Sequence, residues 1–213
     1  MNLDPLLADG VIDEVLGRLK SGKEADIWLV RRADAIVAAK VYKDRDRRSF
    51  KNNADYKEGR DVRNSRTRRA IESGSTFGRE AEEQAWKTAE ADALQLLHAS
   101  GVRVPRPILF TEGVLLMEIV VGVDGPPAPR LIDVADLRAS AKSLYQDLRA
   151  QIIRMLCCEI IHGDLSAYNI LAGIAGPTII DFPQIVSPSH NSRAEYFFLR
   201  DFLYSEIAVV HGF

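Results

Sequence analysis

The chain predicts an α+β fold of two lobes: a small antiparallel sheet with one main helix, then a reduced and mainly helical half. Three observations predict it. Short runs rich in β-forming residues, at 27–30, 36–42, 108–110 and 114–121, are joined by polar turns or separated by charged sequence. A helical stripe of Trp86, Ala89, Ala93 and Leu97 interrupts them, and a second stripe of Leu137, Ala141, Leu144, Leu148, Ile152 and Leu156 follows them. Between the last run and the second stripe lies 122–129, whose three prolines and two glycines suit a boundary between lobes. At 213 residues, 46% apolar and 27% charged, the chain can bury a full core but cannot build two large independent domains. We therefore expect one domain, 1–213, with lobes of about 1–121 and 122–213.

Each element follows from local pattern. Residues 27–30 and 36–42 flank the polar Arg31-Arg32-Ala33-Asp34 and read as a hairpin. From 43 to 76 the sequence turns to dense charge with Asn, Ser and Gly, too little apolar surface to offset ordering, so a long mobile loop is expected. A helix over 77–99 should end before Gly101. Strands at 108–110 and 114–121 meet at Thr111-Glu112-Gly113 and complete the sheet. The second stripe keeps helical spacing for about five turns and leads a long core helix into His162. Short strands at 170–172 and 177–181 flank a turn, and a helix over 192–210 closes the pattern.

Composition excludes several classes. A formal net charge of -2 makes no case, for the chain as a whole, for nucleic acid or an acidic membrane surface. No apolar run approaches the roughly 18 residues of a spanning helix, and residues 1–10 lack the basic-then-apolar order of an export signal, so a cytoplasmic location is expected. Cys157 and Cys158, the only cysteines, are chain neighbours, which suits neither a disulfide nor a spaced metal site, and buried thiols are expected.

The chemistry concentrates in His162-Gly163-Asp164-Leu165-Ser166-Ala167-Tyr168-Asn169 and, after a short strand, Ile179-Ile180-Asp181-Phe182. Phosphoryl transfer needs a carboxylate beside the incoming nucleophile and oxygen ligands for Mg²⁺ on the triphosphate. An Asp with an Asn five residues later, plus a second Asp on an adjoining strand, supplies both. The spacing matches the catalytic loop of protein kinases except at Gly163, where those usually carry Arg. Asp and Asn are also common turn formers, so the weight rests on the two motifs together.

Upstream, Ala38-Ala39-Lys40-Val41-Tyr42 sets one lysine in an apolar strand, where an unpaired ammonium is costly. It needs an anion, and in a kinase that anion is the α/β-phosphate of ATP, with a Glu from the next helix holding the lysine. Glu90 is the choice, with Glu80, Glu82 and Glu83 on the same helix as competitors; an edge lysine reaching solvent is the structural alternative. Ser21-Gly22-Lys23-Glu24-Ala25-Asp26 stands where a glycine-rich phosphate cover would lie, although with one glycine it also reads as an ordinary turn. Glu118 and Val120 close the strand before the Pro/Gly boundary, where backbone groups can meet an adenine edge.

Together these residues resemble the RIO family of atypical serine/threonine protein kinases, from about Ser21 to Asp201, with the long charged insert most similar to the type-one branch. Ser21-Gly22-Lys23-Glu24-Ala25 resembles the family's reduced phosphate loop, 162–169 its catalytic loop and Ile180-Asp181-Phe182-Pro183-Gln184 its metal loop. The resemblance implies a protein-kinase-like fold, with ATP and Mg²⁺ as cofactors and Mn²⁺ as an alternative ion. It implies Asp164 as catalytic base, Asn169 and Asp181 as Mg²⁺ ligands, and Lys40 with Glu90 on the phosphates. It further implies that Asp181 can accept the phosphoryl group as an aspartyl-phosphate. The chain departs at Ala167, where the family usually carries Glu. His162 reads as a residue that orders its loop, and Asp201 either as an anchor for that loop or as a solvated charge.

The expected activity is ATP-dependent serine/threonine phosphotransfer to a protein substrate or to the chain itself. Two alternatives stand beside it. The motifs also resemble small-molecule kinases of the aminoglycoside or choline type, whose larger helical lobe this chain has little room for. The other is a nucleotide-switched ATPase or binding module on ribosomal particles. For that reading, the Arg and Lys residues between Arg45 and Arg69 could follow an RNA backbone, although interspersed acids fit a solvated loop equally well.

Overall fold

The structure is a computed structural model that describes residues 3–43, 75–135 and 141–210. The charged stretch expected as a loop, its basic segment 45–69, and Leu137 lie outside the described residues, as do the side chains of Arg79, Glu80, Glu82, Trp86 and residues 205–210. The described chain forms two compact units: 3–43, 75–92 and 106–119 in the first, and 93–105, 120–135 and 141–210 in the second.

The first unit is an antiparallel five-stranded sheet. Its strands are β1 (Glu14–Ser21), β2 (Ala25–Arg32), β3 (Ala35–Tyr42), β4 (Pro107–Thr111) and β5 (Val114–Glu118), in the order β1-β2-β3-β5-β4. The β4–β5 connection uses Glu112 and Gly113, both at positive φ (49° and 69°), the backbone a two-residue hairpin turn needs. Strand β3 is central, and its residues from Val37 to Tyr42 are all buried. Val37, Ala39 and Val41 point one way by the strand's two-residue period, into a core with Leu3, Leu6, Ile12, Val30, Val114 and Leu116. Lys40 and Tyr42 therefore share the opposite face.

Two elements here were absent from the sequence reading. Helix α1 (Asp4–Ala8) is one turn with Pro5 in its first positions, and it buries Leu6 completely enough to be worth about 1.5–3 kcal/mol. Strand β1 is an edge strand with two register shifts against β2, and Leu16 and Leu19 stay exposed. The shifts erase the alternation that would have marked it. The run expected over 114–121 leaves the sheet after Glu118, and Val120 instead accepts a hydrogen bond from the Ala128 amide at 2.7 Å.

Helix α2 (Thr76–Ala99) follows the undescribed stretch. In the second unit come α3 (Ala141–Cys157), the two-stranded β6 (Ile170–Gly173) and β7 (Gly176–Ile179), and α4 (Ala194–Val210). Ile161, Val186, Ala194 and Phe197 form a core cluster with Leu156 and Phe198 against it. The expectation of two buried thiols is corrected: Cys157 is exposed and Cys158 half-buried. The buried stripe of α3 runs Leu148, Gln151, Ile152, Met155, and a residue two positions past Met155 points away from it.

Candidate active site

In the first unit, Lys40 on β3 meets Glu90 on α2, with Nζ 2.5 Å from Oε1. Both are nearly inaccessible, at 7% and 2% side-chain exposure, so the pairing offsets much of the cost of holding two charges out of water. Of the competing glutamates, Glu83 pairs with Lys87 one turn along the helix. The Tyr42 hydroxyl donates to the second carboxylate oxygen, Glu90 Oε2, at 2.6 Å.

Ser21 ends β1, and the following turn is closed by the Gly22 amide donating to the Ala25 carbonyl at 2.9 Å. Lys43, which the sequence reading passed over, reaches back across this turn. Its Nζ donates to the Gly22 carbonyl (2.6 Å) and to Ser21 Oγ (3.1 Å), and forms an ion pair with Asp26 at 3.1 Å. Burial alone would raise Asp26, but the Ser21 and Lys43 hydrogen bonds and the charges of Lys43 and Arg18 hold its carboxyl below the usual range. The Glu118 carboxylate turns to Arg106, accepting from its amide at 3.0 Å and pairing with its guanidinium at 3.6 Å. Val120 belongs to the second unit.

In the second unit the two chemical motifs fold against each other. Asn169 ends a short 3-10 turn (Ala167–Asn169), and its Nδ2 donates to the Asp164 carbonyl at 2.9 Å and reaches Asp164 Oδ2 at 3.4 Å. The Ile180 amide donates to the Asn169 carbonyl at 2.9 Å, which sets Asp181 beside the 162–169 loop. Asp181 takes a left-handed backbone, φ 68°, so the strand expected over 177–181 stops at Ile179. A non-glycine residue at such a φ is held there by its surroundings, a feature that concentrates at functional sites. Ala167, the departure from the family pattern, has a buried methyl in the same turn, and the Asn169–Asp164 contacts form without a side-chain carboxylate there.

His162 ties the loops together. Its Nδ1 accepts from the Asp164 amide at 3.2 Å, so Nε2 carries the proton and donates to the Ile180 carbonyl at 3.0 Å. Its ring lies 4.8 Å from that of Phe182. Asp201, left open between anchor and solvated charge, is 3% exposed and accepts from the amides of Gly163 (2.7 Å) and Leu165 (3.1 Å). Its neighbour Arg200 donates to the Gly163 carbonyl and stacks 5.2 Å over Phe197. Gly163 has φ 79°, a left-handed backbone in which any side chain would be strained, so glycine suits the position where protein kinases usually carry Arg.

Burial pushes the Asp201 carboxyl up, opposed by the neighbouring His162, the two amides and Arg200. Asp164 is exposed as a residue, yet the groups packed around its carboxyl desolvate it and push it up too. The neighbouring His162 and Arg200 pull it back, the Asp181 charge adds to the rise, and the Asn169 amide lowers it.

A further network, also unread in the sequence, braces β7. The Arg103 carbonyl accepts from the Ile179 amide at 2.9 Å, and its guanidinium pairs with Asp147 at 2.8 Å. Buried Gln151 accepts from the Arg103 amide (2.8 Å) and donates to Asp147 (3.0 Å).

With this geometry in place, the comparisons decide the family. A family model of the RIO domain matches residues 26–208. The chain belongs to the RIO family. The RIO-type serine/threonine-protein kinase Rio1 of Haloferax volcanii is 34% identical over 197 residues, 92% of this chain and 63% of that protein. Rio1 of Methanocaldococcus jannaschii is 34% identical, covering 89% of this chain and 61% of the relative. The fold agrees with a solved RIO structure, the Rio2 kinase-ADP/Mg²⁺-phosphoaspartate complex from Chaetomium thermophilum, at a TM-score of 0.67 and 26% identity over 96% of this chain and 57% of that one. The match confirms a kinase-like α+β fold. Identities to Rio1 and Rio2 relatives overlap, at 34% and 33%, so the assignment is to the RIO family rather than to its type-one branch. The chain spans about three-fifths of the length of these archaeal relatives.

Proposed function

We propose that this chain is an ATP- and Mg²⁺-dependent serine/threonine protein kinase of the RIO type that phosphorylates a protein substrate or itself. One observation carries the reading: Asp164, Asn169 and Asp181 are assembled in one unit by hydrogen bonds that hold Asn169 to Asp164 and Ile180 to Asn169. Names of the relatives support it, since those proteins are serine/threonine-protein kinases.

The donor set fits Mg²⁺. With Nδ2 of Asn169 committed to Asp164, its amide oxygen is left for a cation, and the Asp181 carboxylate adds a second hard oxygen. Among the described residues no group of three or more His, Cys, Asp or Glu could hold a metal, and Mg²⁺ on a nucleotide needs none, because phosphate oxygens and water complete its shell. When bound, the ion neutralises charge on the transferring phosphates. Asp164 accepts the proton of the incoming hydroxyl, for which its carboxyl must be ionised. In the first unit, Lys40 held by Glu90 meets the α/β-phosphates, Ser21 lies at the phosphate loop, and Glu118 offers backbone to adenine; in the second unit, Val120 offers backbone to adenine. We read 1–213 as a single RIO-type domain with lobes of about 1–121 and 122–213.

A second reading is an ATPase switch in which Asp181 takes the phosphoryl group and docking to ribosomal particles, through the basic segment 45–69, is the output. The phosphoaspartate in the Rio2 complex favours it. A cytoplasmic location is part of the proposal; among the described residues no helix is long and apolar enough to cross a membrane. The test is incubation with γ-labelled ATP and Mg²⁺, comparing wild type with Asp164→Ala and Asp181→Asn. Acid-stable label on Ser or Thr, lost in both variants, supports the kinase. Base-labile label lost only with Asp181→Asn, with phosphate release, supports the switch. Absence of label and hydrolysis despite nucleotide binding refutes both.

A further inference from the structure

The pairing of Lys40 with Glu90 explains why each tolerates burial, but not why the carboxylate keeps one orientation. A strand and a helix meet here with matching periods. Lys40 and Tyr42 are two apart on β3 and share a face, while Glu83, Lys87 and Glu90 are four and three apart on α2 and also share one. Tyr42 is 2% exposed. Its hydroxyl donates to Glu90 Oε2 at 2.6 Å while Lys40 occupies Oε1 at 2.5 Å, so the two donors divide the carboxylate. Its ring meets the ammonium of Lys40 at 5.4 Å and that of Lys87 at 6.0 Å from the centroid. One side chain therefore bears on both members of the pair, by a charge-assisted hydrogen bond to the acid and by the ring face to the base.

We infer that Tyr42 is a positioning residue for phosphate recognition: by holding Glu90 Oε2 it keeps that oxygen from drawing on the Lys40 ammonium, and so sets how the ammonium is presented to a nucleotide's phosphates. Without the hydroxyl, Oε2 loses this donor in a buried setting, and the Lys40 ammonium, 2.5 Å from Oε1, is placed to supply one. The lysine is then drawn more tightly to Glu90, in competition with phosphate. The inference rests on the proposed ATP reading of Lys40.

The test is Tyr42→Phe, which keeps the ring, its volume and its contacts with both ammonium groups. Affinities of the full chain for Mg²⁺-ATP and for adenosine are measured by ligand-observed NMR, with thermal melting alongside. The expected result is ATP binding weakened about tenfold, the loss a hydrogen bond to a charged group carries, with adenosine binding within about twofold of wild type. Equal affinity for ATP in the variant overturns the inference, and so does a parallel loss of both ligands with a lowered melting temperature, which marks Tyr42 as merely structural. If Lys40→Met also leaves the wild-type preference for ATP over adenosine intact, the phosphate role of Lys40 is wrong, and the inference falls with it. Tyr42→Leu, lacking ring and hydroxyl, should weaken ATP at least as much as Tyr42→Phe does.

Discussion

Removing the Asp201 carboxylate should loosen the 162–169 loop from α4 and lower stability measurably. Asp201→Ala strips both the Gly163 and Leu165 amides of their acceptor in a site where the residue is 3% exposed. A hydrogen bond to a charged acceptor contributes about 1.5–3 kcal/mol, and two amides left unpaired in a site that collapses only partly give an expected loss of about 3–5 kcal/mol. Against the roughly 5–15 kcal/mol that holds a domain together, that is a large fraction. Asp201→Asn keeps one oxygen acceptor and should cost about half as much. The assay is equilibrium urea unfolding of wild type and both variants with the slope fitted freely. A loss below about 1 kcal/mol in the alanine variant, or equal losses in both variants, would refute the anchoring argument. In the first case solvent satisfies the amides; in the second, charge and not acceptor geometry matters.

Two further expectations follow from the same unit. Gly176 has φ 114°, and a Cβ there would lie 2.5 Å from Asp147 Oδ2 and 2.7 Å from the Arg103 guanidinium, so Gly176→Ala should destabilise by more than about 1 kcal/mol, read as a drop in the urea midpoint. An unchanged midpoint would mean that the Arg103–Asp147 brace moves freely. The raised Asp201 carboxyl makes the folded state bind a proton more tightly than the unfolded chain. Its contribution is fully present below the ordinary value of 3.8 and is lost as pH rises through the raised folded value, so wild type should gain on Asp201→Asn as pH falls toward 3.8. A gap between the two that stays flat with pH, or narrows on acidification, contradicts that direction.

Legibility in the sequence tracked how local the signal was. The hairpin of β2 and β3 and helices α2 and α3 were readable because period and turn chemistry lie within a few residues of each other. Strand β1 was not, since its two register shifts break the period, and α1 is too short to show one. The thiols were misjudged for a related reason: an apolar neighbourhood does not state which side of a helix end faces inward, and Cys157 faces out.

The candidate site divides the same way. Asp164, Asn169 and Asp181 could be proposed from spacing alone, because a loop that must offer a carboxylate and two oxygen ligands compresses its chemistry into a short run and one adjoining strand. Lys40 announced itself as a charge in an apolar strand. What completes their surroundings came from far along the chain. Glu90 lies 50 residues from Lys40, Arg103 is bonded to Asp147 and Gln151 across 44 and 48, and Asp201 reaches Gly163 across 38. Exposed or buried, Glu83 and Glu90 are the same residue type on one helix, and Asp201 carries no mark that separates an anchor from a solvated charge. Desolvation and a directed donor make the difference, and both exist only after strands, helices and loops have been brought together. The sequence by itself determined which chemical groups are present and on which elements they ride; the tertiary structure alone decided which of them are paired, because pairing is set by burial and distance rather than by order along the chain.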